Sequence, residues 1–116
     1  MSASAELDAA FAALADPTRR AILSRLAEGE ATVLELARPL PISLPAVSQH
    51  LKVLERAGLV GRRKDAQRRP CHLRPEVLQA MSGWIEHTRG AWEHRLGRLD
   101  RYLDALQAKE DPDEPA

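Results

Sequence analysis

Cysteine is nearly absent from this chain: Cys71 stands alone. An internal disulfide is therefore excluded, and a reducing cytoplasm is the compartment that fits. A redox switch usually needs a resolving thiol as well, so Cys71 is expected to serve as a small packing residue. Long apolar runs are missing too. Nothing approaches the ~20 residues of a membrane span, and the chain does not open on the basic-then-apolar pattern of a secretory signal, so no membrane partner is expected. Glycine-rich phosphate loops and Ser/His/Asp arrangements on a plausible scaffold are also lacking, which argues against an enzyme and against a bound cofactor. Finally, there is no excess of charge, because the formal net charge is zero.

That zero conceals a strong segregation. Residues 1–51 carry four basic and six acidic side chains, residues 52–74 carry eight basic and two acidic, and residues 75–116 carry five basic and nine acidic. A local net of +6 within one short stretch matters more for phosphate attraction than the total does. Lys and Arg also blunt exposed strands, but this stretch directly follows a helix–turn–helix pattern. With 116 residues, 44% apolar and 29% charged, the chain has the composition of one globular domain.

The helical period places a first helix at about 5–15, with Leu7, Phe11 and Leu14 on one side. Asp16-Pro17 opens a second, 17–27, since Asp is a good N-cap and Pro is tolerated at the first helical position. Its apolar face is Ile22, Leu23 and Leu26, and it ends near Gly29. Thr32 and Glu35 form a capping box for a short third helix ending near Arg38, ahead of Pro41. Ser43 caps a fourth, 43–57, with Leu44, Val47, Leu51 and Leu54 toward the core and Gly58 as terminator. Strands follow at 59–64 and 69–73, joined by Asp65-Ala66-Gln67-Arg68, with Pro70 marking the second as an edge. A final helix covers 75–106, roughly 45 Å if unbroken at its glycines. Residues 108–116 read as an acidic disordered tail, leaving 1–107 as the folded domain. The expected fold is mainly α with a small β-hairpin, a winged helix–turn–helix in the order α-α-α-α-β-β-α.

A major groove admits one α-helix, and the fourth helix has suitable chemistry on its outward side. Gln49 can pair bidentately with adenine, Ser48 can donate or accept, and Lys52 can reach guanine or phosphate. Ser43 and the first-turn N–H groups can hold a phosphate, with His50 and Arg56 flanking. Arg62, Arg63, Lys64, Arg68 and Arg69 fill the hairpin, expected on the backbone or in a minor groove. One such unit spans few base pairs, so a homodimer on a palindromic operator is expected, with recognition helices about 34 Å apart. The dimer seam is read from Leu78, Ile85, Trp92, Leu99 and Leu106, which recur every seventh residue, with Trp84 and Tyr102 nearby and Phe11 of the first helix as companion.

Three stretches carry a family resemblance: Asp16-Pro17-Thr18-Arg19-Arg20-Ala21-Ile22-Leu23, then Leu44 through Val60 (LPAVSQHLKVLERAGLV), then the arginine hairpin. Together they closely resemble the ArsR family of winged-helix repressors, over about residues 7–106. The resemblance implies a homodimeric repressor joined through its first and last helices, which leaves its operator when a signal arrives. It also implies where metal would bind in sensing members. The cysteine pair of the helix before the recognition helix is absent, since residues 33–38 read VLELAR. A second family site lies on the last helix, where this chain has Glu86, His87, Glu93 and His94. The two histidines are about two turns apart, roughly 10 Å of rise, too far to share an ion within one chain. No metal is therefore expected. The rival readings are a metal- or small-molecule-responsive sensor using those histidines with a partner's ligands, and a winged-helix module that binds protein.

Overall fold

Capping and period dictate where the helices fall in the computed structural model, which describes residues 3–64, 67 and 69–110. Helices α1 (Ala3–Leu14), α2 (Pro17–Ala27), α3 (Val33–Ala37) and α4 (Leu44–Arg56) precede strands β1 (Val60–Arg62) and β2 (Cys71–Leu73), and α5 (Pro75–Glu110) closes the order. Asp16 accepts from the Arg19 N–H to cap α2, Thr32 and Glu35 complete a capping box on α3, and Ser43 caps α4. The chain divides into two compact units, residues 1–82 and 83–116.

In the first unit the apolar faces of α1 to α4 meet around Ile22, Val47, Leu51, Leu54, Leu59 and Val60, all essentially inaccessible to solvent. Val77, Leu78 and Met81, from the first turns of α5, pack on the same core. Cys71 is fully buried there, and burial raises its thiol pKa. Gly58 ends α4 at φ +77°, in the left-handed region that favours glycine.

The hairpin is antiparallel, with Val60 opposite Leu73 and Arg62 opposite Cys71. Both strands are shorter than the composition implied, and Arg68 lies outside the described residues. In this two-stranded sheet β2 is an edge strand, as Pro70 implied, and one isolated bridge, in which Ala31 and Cys71 exchange two backbone hydrogen bonds, covers its outer side at a single position. Pro70 immediately precedes the strand, its carbonyl accepting from the Arg63 N–H. Leu44 is also corrected, being 43% exposed. It occupies the first position of α4, before the helix reaches the core.

The second unit holds the rest of α5. Helix continues through Gly83, Gly90 and Gly97 and extends to Glu110, past the boundary expected at 107, while residues 111–116 lie outside the description. Ile85, Trp92, Leu99, Tyr102 and Leu106 are exposed in the single chain, with Trp84, Leu96 and Leu103 beside them. Phe11 on α1 is exposed as well. Leu78 departs from this set, because it packs on the first unit's own core.

Candidate nucleic-acid interface

Helix α4 is strongly two-faced. Val47, Leu51 and Leu54 lie underneath without solvent exposure. On the opposite side Ser43, Gln49, Lys52 and Arg56 are exposed and Ser48 is half-buried. At 100° per residue Ser48, Gln49, Lys52 and Arg56 fall within about one quadrant-sized sector, a compact polar patch. The Ser43 hydroxyl accepts from the Ala46 N–H at 3.3 Å, which fixes the entry of the helix.

His50 is placed elsewhere. Its Nδ1 lies 3.2 Å from Arg19 Nη1 and 3.9 Å from Asp16 Oδ2. A guanidinium only donates, so Nδ1 accepts there. The same guanidinium donates from Nε to the Ala13 carbonyl at 2.6 Å, tying the end of α1 to the middle of α4. The Asp16 carboxyl is held below its ordinary pKa, chiefly by the Arg19 backbone N–H and further by the charge of the Arg19 guanidinium. His50 thus joins, through Arg19, the middle of α4 to the end of α1, beside the outward patch.

The hairpin is less cationic in effect than its sequence. Arg62 Nε donates to Glu55 at 2.9 Å, with both side chains about one-third exposed or less. Arg63 Nη1 reaches Glu30 at 3.0 Å, with both partners roughly half exposed. Lys64 and Arg69 are exposed, and Arg69 adopts φ +46°. A Cβ at Gly61 would sit 2.7 Å from Nε2 of the cross-strand His72, so a larger residue there needs that ring to shift. Sequence reasoning missed Glu30, Glu55 and Arg19 as shaping residues. The Arg63–Glu30 pair spans 33 positions, a separation that leaves no periodic trace.

On α5, Arg89 binds both Glu86, at 2.8 Å, and Glu93. It thereby holds the Glu86 carboxyl below its ordinary range. Two of the four residues weighed as metal ligands are engaged in this way, and His87 and His94 are exposed. Among the described residues no three His, Cys, Asp or Glu side chains gather as a metal-sized group. Nor is any described helix long and apolar enough to cross a membrane.

Residues 14–63 match the family described as a helix-turn-helix domain. The HTH-type transcriptional regulator Rv2034 of Mycobacterium tuberculosis is 58% identical over 74 residues, covering 64% of this chain and 69% of the relative. The transcriptional repressor SdpR of Bacillus subtilis is 36% identical over 75 residues, covering 65% and 83%. The crystal structure of an ArsR family transcriptional regulator superposes with TM-score 0.71 at 41% identity, over 76% of this chain and 97% of that one. The chain belongs to the ArsR family. Its helices and hairpin are accordingly the winged helix–turn–helix of a transcriptional regulator. The solution structure of the homodimeric winged helix-turn-helix DNA-binding domain of Mb0332, a possible ArsR-family regulator from Mycobacterium bovis, matches with TM-score 0.57 at 27% identity, over 79% and 83%.

Proposed function

We propose that this ArsR-family regulator is a cytoplasmic homodimeric repressor that reads a palindromic operator. Helix α4 enters the major groove with Ser48, Gln49 and Lys52 toward base edges, while Ser43 and Arg56 hold flanking phosphates. The hairpin, with Lys64, Arg68 and Arg69 foremost, grips the backbone or adjacent minor groove. One observation carries the reading: the outward patch of α4 exposes Gln49, Lys52 and Arg56, while the acid nearest in sequence, Glu55, is paired with Arg62. A polyanion therefore meets donors and cations on that face, with the neighbouring Glu55 already engaged by Arg62.

The exposed stripe of α5, with Phe11, supplies the dimer seam, and the homodimer of Mb0332 supports that assembly. The test begins with duplexes recovered from a random pool by the wild-type protein. Affinity for them should fall steeply as salt rises, with a log–log slope of about −0.9 per phosphate contacted. Gln49→Ala should erase preference for one base position, at about 1–3 kcal/mol of discrimination. Unchanged preference in Gln49→Ala refutes the groove assignment.

A further inference from the structure

The two arginine pairs of the hairpin are unlike in kind. Arg62 is the last residue of β1, Glu55 lies in the last turns of α4, and their 2.9 Å contact is mostly shielded. Both ends rest on ordered elements, so this pair belongs to the architecture. Arg63 lies one residue beyond β1, its main chain held by the Pro70 carbonyl while its side chain turns back toward the body of the protein. It reaches Glu30 in the α2–α3 loop through Nη1, at 3.0 Å and 3.3 Å from the two carboxylate oxygens. The adjacent Ala31 is pinned to Cys71 by two backbone hydrogen bonds, so Glu30 is delivered to that place by the sheet. Yet the Arg63 and Glu30 side chains are 50% and 41% exposed, and ion pairs so wet contribute little. A DNA phosphate offers the same guanidinium an equivalent charge-assisted partner.

We propose that Glu30 is a built-in competitor for DNA phosphate: Arg63 exchanges from Glu30 to the backbone when duplex binds, so Glu30 lowers affinity for every duplex alike. The inference rests on the DNA-binding reading above. The exchange involves no base edge, so sequence preference stays the same while overall grip is weakened. Such a competitor suits a regulator that must leave one duplex site to find another.

Glu30→Gln keeps the size of the side chain and removes its charge. It should tighten binding about two- to five-fold, the factor set by the worth of an exposed ion pair, to a random-sequence 30-base-pair duplex and to the selected duplex equally. Glu28→Gln removes a charge from an exposed residue two positions away and measures the general electrostatic gain. In an Arg63→Gln background Glu30→Gln should add nothing beyond that gain. Circular dichroism and melting temperature identify any variant that fails to fold, for which Glu30→Ala gives a second comparison. If Glu30→Gln binds no more tightly than Glu28→Gln, or if its gain survives loss of Arg63, the exchange is refuted while the DNA reading stands. If the wild-type protein shows no salt-sensitive affinity for either duplex, both fall together.

Discussion

Replacing Trp92 by alanine should take the protein apart as an assembly while leaving each chain folded. Trp92 is 56% exposed in the single chain. Tryptophan side chains bury up to about 250 Å², so roughly 140 Å² awaits cover. At about 25 cal/mol per Å², covering it is worth ~3.5 kcal/mol, of which an alanine methyl would keep about a quarter. A two-fold seam loses the difference twice, about 5 kcal/mol, which raises the dimer dissociation constant by more than ~10³. Sedimentation equilibrium at micromolar concentration should show wild type as dimer and Trp92→Ala as monomer. His94→Ala, on the opposite side of α5 by helical phase, should remain dimeric. The melting of the first unit, whose core excludes Trp92, should change little. A wild-type monomer, or a Trp92→Ala dimer as tight as wild type, would refute the assignment of the α5 stripe.

Two stability effects follow from the first unit. Leu51 is fully buried on the underside of α4, so Leu51→Ala should cost about 2–5 kcal/mol, seen as a lower urea midpoint, and a loss under 1 kcal/mol would contradict the packing described. Asp16 has a depressed folded-state pKa, so its contribution is fully present above the unfolded value and is lost as pH falls through the folded one. Asp16→Asn should therefore flatten the decline of melting temperature on the acid side of the carboxylate range, and an unchanged decline would remove Asp16 from that role.

What the chain disclosed beforehand was what neighbours along it determine. Thr32 with Glu35, Ser43 ahead of Pro45, and Asp16-Pro17 are short-range devices, and α3, α4 and α2 begin where they point. The Ala31–Cys71 bridge was hidden because one paired residue has no period to detect. Leu44 misled because helical phase says which direction a side chain takes and nothing of where the core ends. The surroundings of His50 were hidden for a related reason: it shares a helix with Gln49, but Arg19, 31 positions earlier, decides what its ring meets. The heptad of α5 was legible as a repeat, yet Leu78 serves the chain's own core while Ile85 and the later members remain uncovered.

Charge shows most sharply how tertiary contacts revise a sequence reading. The basic segment 52–74 looks like a uniform cationic finger when its side chains are tallied. In the fold, Glu55 from within that segment and Glu30 from the acidic region before it reach the two arginines at the loop end of β1. Lys64 and Arg69 remain outward beyond them. Phosphate contacts and their salt dependence should therefore divide by position, with the outer cations bound directly and Arg63 admitted only after it leaves Glu30. Arg69→Ala should flatten the salt slope by about 0.9, while Arg62→Ala should chiefly loosen the hairpin's seat on α4. An equal loss of slope from both would mean that the Glu55 pair opens on DNA as readily as the Glu30 pair, and the distinction drawn from their burial would be wrong.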